Sequence, residues 1–119
     1  MWRYEQSTGY LWHRVAVGYS GHDEGKNQPD LDSVRGIGPI PRGRWSIGPP
    51  QEGTGHGPYV MRLTPDPDTV THGRSGFLIH GDMLDPAKRG EASEGCIILD
   101  PVARHAVWES GDHELEVVP

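Results

Sequence analysis

The sequence predicts a small, mostly β domain with one or two short helices. Three observations predict it. The chain has 119 residues, and 17 Gly and 11 Pro punctuate it. Such punctuation favours strands joined by turns over long helices. The apolar runs between these residues are short, the length of strands. Only one segment, Pro101 to Ser110, reads as a helix. Proline suits its first turn, Val102, Ala106 and Trp108 are the residues expected to face the core, and Gly111 stops it. A chain of this length forms one domain, here 1–119, and buries roughly two-thirds of its unfolded surface. It needs no disulfide framework.

The other elements follow in order. Trp2 to Tyr4 and Leu11 to Tyr19 are expected to form an opening hairpin around Ser7-Thr8-Gly9. Gly21 to Pro29 is polar and reads as a loop, and Asp30 to Arg35 as a short helical turn. Gly36 to Pro50 is an ordered turn region: Pro39 and Pro41 pre-set φ, and Gly43 permits a reversal before a strand at Trp45 to Ile47. Tyr59 to Leu63, Phe77 to His80, Cys96 to Leu99 and Leu115 to Val118 read as further strands. No repeat, linker or low-complexity tract appears.

Charge narrows the function. The formal net charge is −6, from 17 acidic and 11 basic residues. Nucleic-acid binders need a basic face for phosphates, so no nucleic-acid partner is expected. No stretch has the length of a membrane span. No apolar run follows Met1-Trp2-Arg3-Tyr4-Glu5 as it would in a signal peptide, so synthesis in the cytoplasm without one is expected.

The chemistry concentrates at the only cysteine. Cys96 sits in Ser93-Glu94-Gly95-Cys96-Ile97-Ile98-Leu99, sixteen positions after the histidine of Phe77-Leu78-Ile79-His80-Gly81. A lone Cys makes no internal disulfide, so it is either a small core residue or a thiol kept for reaction. The thiolate is the nucleophile, and a base or cation must generate it. A histidine ending one apolar run and a cysteine opening another is one way to bring the two together. The seven histidines are scattered, with no His-x-x-x-His pair and no second Cys, so no metal site and no cofactor are expected. Asp82 and Asp85 read as turn-capping residues, with Asp82 also able to orient His80 or contact substrate.

His80-Gly81 followed by Ser93-x-Gly95-Cys96 resembles the signature of L,D-transpeptidases, and Gly38-Pro39-Ile40-Pro41-x-Gly43 is similar to that family's entry to a central strand. The likeness is closer still to the type VI secretion L,D-transpeptidase effectors. It runs through Tyr4-x-Gln6-Ser7-Thr8-Gly9, Gly18-Tyr19-Ser20-Gly21, Val34-Arg35-Gly36, Ile47-Gly48-Pro49-Pro50, Gly73-Arg74-Ser75-Gly76-Phe77, Ile79-His80-Gly81-Asp82 and Ser110-Gly111-Asp112. Two positions depart from the general motif: Glu94 stands where His is usual, and Ile98 where Arg often helps hold the substrate peptide. Arg74 and Arg42 are the candidates to take a carboxylate in its place, with a solvated surface role as the alternative for either.

The resemblance implies an L,D-transpeptidase-like β-sandwich or barrel. It implies Cys96 as nucleophile, His80 as base and the Gly81 carbonyl as the group orienting the imidazole. Ser93 belongs to the catalytic turn, holding the turn or touching substrate. Gly95, Arg74, Asp82 and Glu94 are the candidate substrate contacts. Backbone N–H groups near Gly95 and Cys96 are the expected oxyanion donors. Glu94, if ionised, raises the thiol pKa, unless it points away or binds a substrate amine. The implied substrate is the peptidoglycan stem peptide, trimmed or exchanged at its terminal D-amino acid in the periplasm of a target bacterium. The implied partners are an immunity protein and a type VI secretion component. Two other readings stand beside this one: a non-catalytic wall-binding module with the same fold, and a thiol amidase acting on another substrate.

Overall fold

Alternation of side chains builds the sheet from the first residues. Trp2 and Tyr4 are buried while Arg3 between them is exposed, the period of a half-buried strand. Trp45 and Ile47 repeat the pattern, as do Leu115 and Val117. The computed structural model describes residues 1–12 and 16–119. Among these, the strands are β1 (Trp2–Glu5), β2 (Tyr10–Trp12), β3 (Ala16–Val17), β4 (Tyr19–Ser20), β5 (Gly43–Gln51), β6 (Val60–Pro65), β7 (Leu78–His80), β8 (Ile97–Ile98) and β9 (Glu114–Val118), with helix α1 (Pro101–Glu109) before the last. The mostly β class read from the sequence is the class observed. Part of the anticipated Leu11–Tyr19 strand, residues 13–15, lies outside the described residues.

The strands form one sheet in the order β3-β2-β1-β9-β5-β6-β7-β8-β4. Its two end strands, β3 and β4, are neighbours in sequence with only Gly18 between them. The sheet therefore nearly closes into a barrel, and Gly18 is the corner. A Cβ there would stand 2.0 Å from the Ile98 carbonyl oxygen, so only glycine fits. Most pairings are antiparallel, but β1 lies parallel to β9, and β7 parallel to β8.

The core runs through the sheet's inner face. Trp2, Tyr4, Ile40, Trp45, Met61, Ile79, Ile97 and Leu115 are all buried, and Trp45 meets Phe77 edge-on at 5.2 Å between ring centroids. Three short 3₁₀ turns, Asp23–Gly25, Pro29–Leu31 and Pro86–Lys88, punctuate the loops. The expected helical turn at Asp30 to Arg35 thus begins one residue earlier and stops at Leu31. β5 runs well past Ile47, through Gly48-Pro49-Pro50. Its register against β6 shifts between Ile47 and Pro50, where prolines that cannot donate are tolerated.

Helix α1 begins at Pro101 as expected and ends one residue earlier, at Glu109; Trp108 packs against the core as expected, but the most buried face differs. Asp100 caps it by accepting from the Ala103 N–H at 2.7 Å, and Gly111 follows at φ 76°. Ala103, Arg104 and Val107 are buried, whereas Val102 is exposed. The helix turns one residue further than apolar periodicity suggests, because Arg104 reaches inward and donates to the Leu99 carbonyl. Among the described residues, no helix is long and apolar enough to cross a membrane.

Candidate active site

The parallel pair β7 and β8 sets the site. Ile79 lies opposite Ile97 and His80 opposite Ile98, and the Leu99 N–H donates to the His80 carbonyl at 3.0 Å. Leu78, Ile79, Ile97 and Ile98 are buried, which anchors both strands in the core. His80 therefore ends one strand while Cys96 stands immediately before its neighbour. Both side chains line the same cavity, of about 630 Å³.

The turn carrying the thiol is tied through the Ser93 hydroxyl, the Gly95 N–H and the Glu94, Gly95 and Cys96 carbonyls. Ser93 is fully buried, and its hydroxyl donates to the Cys96 carbonyl at 2.6 Å. It also accepts from the Gly21 N–H at 2.9 Å and the Gly95 N–H at 3.0 Å. Ser20 donates to the Gly95 carbonyl at 2.9 Å and accepts from the Ile40 N–H at the same distance. Gly95 has φ 138°, and a Cβ there would meet the Arg74 guanidinium at 2.6 Å. Of the two expected oxyanion donors, the Gly95 N–H is thus already committed to Ser93. The Cys96 N–H has no acceptor among the described residues and is the donor left at the thiol.

Arg74 clamps this turn to the proline segment before β5. Its two terminal nitrogens donate to four backbone carbonyls: Asp32 at 2.7 Å, Pro39 at 2.8 Å, Gly38 at 2.9 Å and Glu94 at 3.1 Å. Those bonds use all four terminal N–H groups, so Arg74 cannot also fork onto a substrate carboxylate. Its role is to hold the site. Arg42 is likewise engaged, donating from Nε to Asp32 at 3.0 Å and from Nη2 to the Pro29 carbonyl at 2.9 Å.

The histidine is held in one tautomer. His80 Nδ1 lies 2.8 Å from the Gly81 carbonyl oxygen. A carbonyl only accepts, so Nδ1 carries the proton and the neutral ring keeps Nε2 as an acceptor. Burial pushes the His80 pKa down, and interactions with His56 and Arg104 push the same way, against the Gly81 carbonyl and Asp82. Burial pushes the Cys96 thiol up, and Glu94 adds to this, against the Leu78 N–H and Arg74. Both shifts favour the neutral forms of the two groups over an ion pair. The thiol points its hydrogen toward the Gly76 carbonyl, 3.8 Å away.

The remaining candidates fall around this pair. Glu94 is exposed on the cavity wall, and Gly95 lines it. Asp82 accepts from Tyr19 Oη at 2.7 Å, the Met83 N–H at 2.8 Å and the Gly90 N–H at 3.1 Å. It ties the base of the loop after β7, as a turn cap does. Asp85 caps Ala87 at 3.0 Å. One residue at the site escaped the sequence reading. His56 lies on the cavity wall, its ring centroid 4.8 Å from that of His80. It sits in Gly53-Thr54-Gly55-His56-Gly57, and an imidazole isolated between glycines was the one available signal. Among the described residues, no group of three or more His, Cys, Asp or Glu side chains is placed to hold a metal ion.

Comparison with protein families gives a match. A family model described as the Tlde1 domain fits residues 14–118, most of the chain and all of the site. No curated protein matches.

Proposed function

The chain belongs to the Tlde1 domain family, and from that premise we propose that it remodels peptidoglycan stem peptides with Cys96 as nucleophile. In this reading it is a type VI secretion effector, active in the periplasm of a rival bacterium and restrained by an immunity protein. It acts as an L,D-carboxypeptidase, an L,D-transpeptidase exchanging terminal D-amino acids, or both. The observation that carries the proposal is the shared cavity: Cys96 and His80 line it together, and Gly81 fixes the imidazole so that Nε2 is free to accept.

His80 Nε2 takes the thiol proton as Sγ attacks the carbonyl carbon of the scissile amide. The electron pair of the C=O moves to oxygen, and the Cys96 N–H donates to that oxyanion. The C–N bond then breaks, and the leaving amine departs with the proton His80 collected. A thioester remains on Cys96. Water or a second amine, deprotonated by His80, attacks it and restores the thiol.

Purified muropeptides incubated with the protein and read by mass spectrometry test the proposal. Loss of a terminal D-alanine, or its replacement by an added D-amino acid, is the expected product. Folded Cys96→Ala should make none. His80→Gln should lose roughly 10²–10⁴-fold in rate, as for a general base. Activity should fall in acid with a midpoint below pH 6.5, because His80 must be neutral and its pKa lies below that ordinary value. Absence of any product from the wild-type protein would favour the wall-binding module, and cleavage of unrelated amides alone would favour the other thiol amidase.

A further inference from the structure

With Arg74 spent on carbonyls, one other guanidinium lines the cavity. Arg35 is exposed at its rim and donates once, from Nη2 to the Gly73 carbonyl at 3.1 Å. Its other N–H groups have no protein partner among the described residues. One bond to the backbone aims the fork without saturating it, the state in which a guanidinium receives a carboxylate. The surroundings reinforce this. Arg35 is held against the Gly73–Gly76 segment, which ends at the carbonyl facing the thiol. The segment leading into Cys96 carries Glu91 and Glu94 on the cavity wall instead. The rim is thus positive on one of these segments and negative on the other.

We propose that Arg35 receives the free C-terminal carboxylate of the substrate, so that the site reads the end of a peptide and not its interior. The inference rests on the reading of this cavity as the place of amide cleavage. It makes Arg35 a specificity residue: the carboxylate on the leaving amino acid is paired there, while Glu91 and Glu94 repel it from the other segment. A peptide amidated at that position, or continuing beyond it, loses the pairing and leaves the fork without an anion.

Two measurements separate this proposal from the function it rests on. The first needs no substrate: rates of Cys96 alkylation by iodoacetate and by iodoacetamide, compared as a ratio at low salt. The anionic reagent reports the field at the thiol, the neutral one its intrinsic reactivity. The ratio should fall several-fold in Arg35→Gln, be largely kept in Arg35→Lys, and fall in the wild type as salt is added. The second compares kcat/KM for a stem tetrapeptide with a free C-terminus and for its C-terminal amide. The wild type should prefer the acid by about tenfold or more, and Arg35→Gln should lose that preference. An alkylation ratio that is unmoved in folded Arg35→Gln overturns the proposal, as does equal turnover of acid and amide by the wild type. If no stem peptide is cleaved while the alkylation ratio still depends on Arg35, the anion site stands and the assigned substrate fails.

Discussion

The two segments that meet at the thiol are built by opposite rules. The turn from Ser93 to Cys96 is locked: its serine is fully buried with three hydrogen bonds, and Arg74 fastens its Glu94 carbonyl to the Gly38–Pro39 backbone. The stretch between His80 and that turn is tied mainly at its base, through Asp82. Beyond it, Leu84 is 95% exposed and Met83 40% exposed. Rigidity is concentrated where an atom must be placed for attack. At the tip of the intervening loop Leu84 stands apart from the cavity, whereas Met83, Glu91 and Ala92 of the same loop line it.

Removing the clamp should have the largest effect. Arg74→Ala leaves four backbone carbonyls without their donor in a buried setting, so a loss upwards of ~3 kcal/mol is expected, enough to threaten the fold. Urea unfolding measures it. Arg74→Lys, with one point charge for a planar fork, should recover only part. Stability close to wild type in Arg74→Ala would erase the contrast between the two segments.

Ser93→Ala comes next. It removes one donor and one acceptor from a fully buried turn and frees the Gly95 and Gly21 N–H groups, an expected cost of ~1–3 kcal/mol. Activity should fall along with stability, since the thiol rides on that turn. If stability fell while kcat held, the turn would be a scaffold with no role in aiming Cys96.

A smaller effect appears in acid. Burial opposes ionisation of Asp32, but hydrogen bonds from Gln6 and from the Arg42 guanidinium and backbone outweigh it and hold its pKa below the usual 3.8. A carboxylate depressed on folding contributes stability that is complete above its unfolded pKa. That contribution is lost as pH falls through the lower, folded value. The wild type should therefore weaken progressively from about pH 5 downward, and Asp32→Asn should be weaker at neutral pH with a flatter acid limb. Thermal melts from pH 3 to 7 distinguish the two curves.

The smallest effect belongs to the loop itself. Leu84→Ser should change the urea midpoint by no more than ~0.5 kcal/mol equivalent and leave kcat intact, because the side chain has surrendered almost none of its surface. A large loss of activity there would mean that the loop tip meets the substrate after all.

How much of this was legible follows from where each signal resides. Strands were visible because Trp2 and Tyr4, or Leu78 and Ile79, announce burial in their own alternation or run. Cys96 and His80 each adjoin such a run, so the pairing of those strands brings both to one cavity. β5 was cut short because Pro49 and Pro50 read as a turn, and only the pairing with β6 shows that a bulge accommodates them. The inner face of α1 was shifted because a buried arginine does not enter apolar periodicity. Arg74 read as a free cation since its four carbonyl partners come from three separate stretches of chain. His56 carried no pattern at all: its approach to His80 is a product of tertiary folding.

The Gly18 corner has a consequence for the order of folding. Before that corner β3 pairs locally with β2, but Tyr19 just after it pairs with Ile98, and Trp2 in β1 pairs with Leu115, both far along the chain. Contacts of such sequence separation carry a large loop-closure cost before they give anything back. The β5–β6 and β6–β7 pairings are local and can form on their own. The strand beside the thiol acquires its β4 neighbour only when the first residues meet the later ones. On a ribosome the cavity is therefore assembled after β8 has emerged, and the step that closes the sheet is the one expected to limit the refolding rate.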